Sequence, residues 1–342
     1  ENGVEVETGN DLVAQGCRFP DSLDRYDPAN YEIYGGKNYS CDLMYDKMVR
    51  FVEDNASSPF FLMWTTTVPH SAVQAPADEV KYYVDKLGDE EPCTNPGMYL
   101  PNRYPHATYA AMVTHIDTQV GKLVKKLKEL GVWDNTIFIV SSDNGPASNG
   151  NSPMEYFQSG GPFKCGKGWG KSSLHEGGIR MPFILHWGNN KNCGRITRMS
   201  SFADLMPTLA EIAGVNAPEN DGVSFAPTVL AETRGGQRYT KANDLILSPQ
   251  REHEYLYWEY PASKGWVAVR MGEWKGIVRK VLKGNSEMEL YNLNDDTQEQ
   301  NDVAASHPEI VRSMWSAVRA SHCDANPEVP KFCMDINYPD SL

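Results

Sequence analysis

Apolar residues recur along the chain with two different periods. In Ser40–Asn55 (SCDLMYDKMVRFVEDN), Leu43, Met44, Met48, Phe51 and Val52 are spaced for one helical face, with Ser40 placed as a cap. Ala107–Leu130 repeats the pattern through Tyr109, Met112, Val113, Ile116, Val120, Leu123, Val124 and Leu127. Lys122, Lys125, Lys126 and Lys128 fill its other face and Gly131 closes it. Ser201–Ala213 predicts a helix interrupted by Pro207, and Pro308–Ser321 one with Ile310, Val311, Met314, Trp315 and Val318 on a single face. Between the helices lie compact apolar runs of strand length: Pro59–Thr67 (PFFLMWTTT), Thr136–Ser142 (TIFIVSS) and Arg180–Trp187 (RMPFILHW). After ETRGGQR the texture changes to short aromatic strands at Tyr255–Tyr260, Trp266–Met271, Trp274–Arg279 and Glu289–Leu293, with a hairpin about Met271-Gly272-Glu273. Residues 1–235 therefore read as an α/β domain and 236–342 as a small domain of antiparallel strands plus one helix.

The chemistry gathers where the strands end. Gly145 and Pro146 terminate the run TIFIVSS just after Asp143 and Asn144. A turn there brings a carboxylate and an amide carbonyl to the sheet edge, a donor pair that suits Ca²⁺ or Mg²⁺ better than zinc. The same residues also suit an ordinary Asx turn. His70 follows Val68-Pro69 at the end of the earlier strand, where it serves equally as a surface residue or as a site residue. The glycine-rich stretch Gly160–Gly178 carries Lys164, Lys167 and Lys171, which fits an anion site or a mobile surface loop.

Bulk properties narrow the partners. The 342 residues carry a net charge of -13, and the pI is near 5.1, which excludes a nucleic-acid or acidic-lipid binder that needs a basic face. An anionic substrate would need a local positive cluster. No run of apolar residues is long enough for a membrane span. The seven cysteines form no C-x-x-C pair or zinc spacing and fit an exported protein with bridges such as Cys323–Cys333, an odd count leaving one thiol over. Sequons stand at Asn38 and Asn55. The opening ENGVEVETGN lacks a leader's apolar core, as expected if a leader was removed or the chain begins partway through a larger protein.

Together, PFFLMWTTTVPHSAVQAP (Pro59–Pro76), YAAMVTHIDTQVGKLVKKLKELGVWDNTIFIVSSDNGP (Tyr109–Pro146), GKSSLHEGGIRMPFI (Gly170–Ile184) and ADLMPTLAEIAG (Ala203–Gly214) resemble successive landmarks of the type I sulfatases, arylsulfatase-like members of the alkaline phosphatase superfamily. AVRMGEWKGI and MELYNLNDD are similar to the end of such chains, so the resemblance covers about residues 40–320. It implies a mixed, largely parallel sheet flanked by helices, incomplete here, and a small C-terminal α+β subdomain. It implies Asp143 and Asn144 as metal ligands, usually for Ca²⁺ with Mg²⁺ as the second choice, His70 beside the ester oxygen, and Lys171, five residues before Glu176, on the sulfate. A cation and an ammonium aimed at sulfuryl oxygens stabilise the charge that spreads over them in transfer.

One departure stands out. The family's nucleophile is a formylglycine made within C-x-P-x-R, and no such motif occurs. Cys17-Arg18-Phe19-Pro20 has its proline one place late, and Leu247-Ser248-Pro249-Gln250-Arg251 has leucine at the reacting position. The chain resembles a sulfatase lacking its N-terminal part. That missing segment would be its partner and would supply the nucleophile, leaving these residues alone inactive. A non-catalytic glycan-binding remnant, or a phosphoesterase or phosphotransferase of the same superfamily, are the alternatives. The implied substrate is a sulfated carbohydrate, with an aryl sulfate as test compound, in a periplasmic, secreted or lysosomal setting. His253, Trp258, Glu259 and Trp266 are candidates to border a sugar pocket, or else core.

Overall fold

A computed structural model describes residues 8–148, 151–187, 195–229, 231–234, 237–240, 250–323 and 334–339. The chain divides into two compact units, one of residues 1–136 and 147–159, the other of residues 137–146 and 160–342. The expected boundary at 235/236 falls outside the described residues, and we retain it as a proposal. Side chains of residues 229–249 lie outside them too, as does Cys333, and Cys323 is a free, exposed cysteine, so the expected Cys323–Cys333 bridge is not supported.

The first unit is helical. Helices α1 (Ser40–Asn55), α2 (Ala77–Leu87) and α3 (Pro105–Glu129) enclose an apolar cluster of Cys41, Val68, Val73 and Met112. Ser40 is the first helical residue of α1, and the cap position passes to Tyr39, which makes no side-chain capping bond. The buried stripe of α3 also contains polar residues. His115 Nδ1 lies 2.9 Å from Glu79 on α2, and Gln119 Nε2 donates to Asp42 on α1 at 3.0 Å. A polar knot therefore ties the three helices, satisfying groups that burial would otherwise penalise. At the start of α3, Glu90 accepts from the backbone N–H groups of His106 and Ala107, meeting two donors that have no partner within the helix.

Pro59–Thr67 departs from expectation. The segment has no regular secondary structure, and no ladder partner for it occurs among the described residues. Its side chains alternate: Phe61 and Met63 are 72% and 73% exposed, while Phe60 packs edge-on against Phe51 and Trp64 against Tyr45. Apolar content predicted a strand, but a strand also requires a neighbour to bond with.

The second unit supplies the β-structure. Strand β1 (Ile137–Ser141) pairs antiparallel with β2 (Phe183–Trp187), Ile139 opposite Leu185. Both are less buried than their composition implies, Ile184 being 62% exposed. Between them lies the short helix α4 (Glu176–Ile179). Helix α5 (Leu205–Ala213) starts behind a reciprocal cap of Ser201 and Asp204, and its Pro207 sits in the first turn, where a missing N–H costs nothing. Helix α6 (Ala226–Val229) and the strand pair β3 (Ala231–Arg234) and β4 (Gln237–Thr240) follow.

A four-stranded antiparallel sheet completes the unit in the order β5 (Leu256–Tyr260), β6 (Trp266–Met271), β7 (Trp274–Arg279), β8 (Met288–Asn292). Gly272 takes φ +56° in the two-residue turn joining β6 to β7. Helix α7 (Pro308–Ser321) packs Met314, Trp315 and Val318 onto Val267, Val269, Val278 and Leu290. The opposite face buries Trp266, Ala268, Ile277 and Tyr291 against Leu174. The chain is α/β, but every ladder among the described residues is antiparallel. The largely parallel sheet is therefore not seen there, because Pro59–Thr67, which would contribute to it, has no partner. Among the described residues no helix is long and apolar enough to cross a membrane.

Candidate active-site turn

Beyond β1 the chain turns through Ser142, Asp143 and Asn144. Ser142 Oγ donates to the Asn144 carbonyl at 3.0 Å, and Asn144 Nδ2 donates to the Gly145 carbonyl at 2.8 Å. Two backbone bonds then fasten the turn to the lysine segment: Lys171 N donates to Pro146 O at 2.7 Å, and Gly145 N to Gly178 O at 2.9 Å. Contact is close enough to exclude side chains. A Cβ on Gly145 would lie 1.9 Å from Gly177 O, one on Gly177 2.3 Å from Lys164 O, and one on Gly178 2.4 Å from Ser173 O. Gly145 was expected for conformational freedom, but the structure requires it for proximity.

Asp143 is exposed, and among the described residues its carboxylate and the Asn144 Oδ1 accept no hydrogen bond. The half-buried Lys171 ammonium has no ion-pair or hydrogen-bond partner there either. The other lysines differ in their surroundings: Lys164 packs 3.9 Å over the Trp169 ring and Lys167 is exposed. The expected three-lysine anion cluster therefore narrows to Lys171.

A hard cation is matched in kind by the two oxygen donors at 143–144, though Ca²⁺ takes roughly six to eight. Among the described residues no group of three or more His, Cys, Asp or Glu side chains could hold a metal. His70 belongs to the other unit. It is exposed, its ring edge-on to Tyr99 at 5.9 Å, and Nδ1 lies 2.8 Å from the Ser71 carbonyl. A carbonyl only accepts, so Nδ1 carries the hydrogen and Nε2 is left available.

Among the sugar-pocket candidates, Trp266 is core and His253 is half-buried, its Nε2 2.8 Å from Asp204. Glu259 accepts from Tyr257 and lies 2.6 Å from His322, and Trp258 packs on the sheet core. These contacts give all four a structural role.

Periodicity missed a buried charge cluster beside the lysine segment. Lys275 on β7 is wholly buried, with its ammonium 2.8 Å from Glu176 and 3.3 Å from Glu299. The second Glu176 oxygen lies 3.0 Å from Arg180 and 3.1 Å from Arg270. The Glu299 carboxylate accepts from Glu176 N at 2.7 Å. Buried His175 stacks on Trp169 at 3.9 Å, with Nδ1 3.3 Å from Glu299. A lysine alternating with apolar Ile277 was the available signal, since such an ammonium needs an acid. Its partner lies 99 residues away.

Burial alone would raise the Glu176 pKa, but the Lys275 ammonium, then Arg270 and Arg180, outweigh it and hold the carboxyl at about 2. An unfolded glutamate titrates near ~4.3, so the stabilisation is complete above that pH and is lost as pH falls towards ~2. Thermal midpoints should fall across this window, and Glu176→Gln should flatten that slope. A slope unchanged in the variant would assign the acid sensitivity to other groups.

The Sulfatase family profile matches residues 13–215, and that of the N-sulphoglucosamine sulphohydrolase C-terminal region matches residues 167–322. Human N-acetylgalactosamine-6-sulfatase is 29% identical over 221 residues, covering 63% of this chain and 37% of that protein. N-acetylgalactosamine-6-O-sulfatase of Bacteroides thetaiotaomicron is 25% identical over 293 residues, covering 80% and 49%. The crystal structure of Ps i-CgsB in complex with k-i-k-neocarrahexaose is similar with TM-score 0.62 and 26% identity, covering 83% of this chain and 55% of that one. The chain thus spans about half the length, or less, of these relatives. On the extent of the family match and the shared fold, the chain belongs to the sulfatase family.

Proposed function

We propose that this chain forms part of a sulfate ester hydrolase that removes sulfate from a sulfated carbohydrate. The observation carrying this reading is the Asp143–Asn144 turn fastened by backbone bonds to Lys171, with carboxylate and ammonium both unpartnered among the described residues. Asp143 and Asn144 would hold Ca²⁺, with Mg²⁺ as the second candidate. When bound, such a cation neutralises charge growing on the sulfuryl oxygens. Lys171 supplies a second positive charge to those oxygens, strongest in effect as they gain charge.

We assign His70 to the ester oxygen on the family resemblance. With Nδ1 held by the Ser71 carbonyl, Nε2 is the atom that exchanges a proton with the leaving alcohol. The nucleophile, a formylglycine, is assigned to a segment N-terminal to these residues in the same protein. The Pro59–Thr67 segment, with Phe61 and Met63 exposed, is an apolar surface that such a segment would cover. The substrate class follows from relatives named as N-acetylgalactosamine-6-sulfatases and from the oligosaccharide complex above. We place the protein in an exported compartment, periplasmic, secreted or lysosomal, by the same resemblance.

The test is the full-length parent, expressed with its formylglycine-generating partner and offered 6-sulfated N-acetylgalactosamine, an aryl sulfate and the matching phosphate esters. Sulfate release that a calcium chelator stops and added Ca²⁺ restores is the expected result. Faster phosphate release, with two zinc ions per chain, would replace this reading with a phosphoesterase. Sugar binding with no release of either anion would leave the glycan-binding remnant.

A further inference from the structure

The segment Lys171–Gly178 is held at three places within the second unit. Its two ends are bonded to the turn, Lys171 N to Pro146 O and Gly178 O to Gly145 N. Its middle is pinned to the four-stranded sheet by three different kinds of contact at consecutive residues. Leu174 enters the apolar cluster around Ile277, His175 meets the rings of Trp266 and Tyr291 edge-on, and Glu176 enters the charge cluster through Lys275 and Arg270. A displacement of Glu176 would therefore be passed along the few residues to Lys171.

Burying these charges gives little net stability, because desolvation offsets the attraction and an apolar substitute of equal volume would often serve as well. What the cluster supplies is direction. Glu176 is met on one oxygen by Lys275 and on the other by Arg180 and Arg270, while its N–H is taken by Glu299. Both the side chain and the backbone of one residue are thereby fixed, which apolar contacts do less sharply.

We propose that Glu299 and Arg270 are positioning residues for sulfate ester hydrolysis, holding the Lys171–Gly178 segment through Glu176 so that Lys171 stays placed against the Asp143–Asn144 turn. Neither touches substrate. The proposal rests on Lys171 meeting the sulfuryl group, as argued above.

A double-mutant cycle in the full-length enzyme tests it, with kcat and KM for sulfate release measured for Glu299→Gln, Arg270→Gln, Lys171→Ala and the two doubles containing Lys171→Ala. Each positioning variant should lower kcat about tenfold with little change in KM, since small misplacements of a transition-state contact act on the chemical step. In the Lys171→Ala background the same changes should cost less than about twofold, because no ammonium remains to misplace. Arg270→Lys should restore most of kcat. Equal losses in both backgrounds would overturn the proposal in favour of a general structural role, and so would full activity of both positioning variants. Arg270 is partly exposed, so its variant reports even if Glu299→Gln fails to fold. Wild-type activity in Lys171→Ala alone would instead remove the assignment of Lys171, and with it this proposal, so the two failures are told apart by one protein.

Discussion

Asp143→Ala in the full-length enzyme is expected to lower kcat for sulfate release by about 10²–10³-fold, the scale found when one preorganised electrostatic group is removed from a charged transition state. Its melting temperature should stay close to wild type. That combination follows from the geometry, because the Asp143 side chain is exposed and accepts no hydrogen bond among the described residues. A surface carboxylate of this kind changes stability by roughly 0.5 kcal/mol or less when removed. Calcium titration by calorimetry should show weakened binding in the same variant. Loss of melting temperature together with activity would mean that Asp143 serves the turn and not an ion, which would return the site to an ordinary Asx turn.

Lys275→Met should have the largest effect on stability. The substitution keeps the length of the side chain and removes the ammonium that lies between Glu176 and Glu299. Breaking a buried pair from one side costs about 3–5 kcal/mol, because the remaining carboxylate stays desolvated without its partner. The urea midpoint should fall accordingly. Adding Glu299→Gln to Lys275→Met should recover part of the loss, since Glu176 keeps Arg180 and Arg270 and Glu299 is the acid left without its lysine. An unchanged midpoint in the single variant would show that the two acids find other cations or water.

How much of this could be read in advance depended on how local each signal was. Helices α1, α3 and α7 carry their own periodicity, and β6 and β7 carry both alternation and a turn, so their positions matched closely. Pro59–Thr67 has the composition of a strand, but a strand is completed by a neighbour, and none stands beside it among the described residues. The fate of Lys275 was hidden for the same reason. Its place in WKGIVR puts it on the face of Ile277, yet which acid would meet it depends on Glu176 in a loop packed against that face. The turn at Asp143–Asn144 was legible because Gly145 and Pro146 follow at once. That Gly145 is needed for proximity could only be known once Gly177 was seen against it. As positive charge Lys164 and Lys167 counted equally with Lys171; the family resemblance singled out Lys171, and packing then set the other two apart.

The junction between carboxylate turn and lysine segment consists of main chain on both sides, closed over hydrogen atoms where a methyl would collide. Polar side chains therefore reach this joint only at one remove, through Glu176 in the segment between its two backbone bonds. A single added carbon at 145 collides directly with the Gly177 carbonyl across the joint, and such a change should separate the two halves of the site in one step, however well every charged residue is preserved.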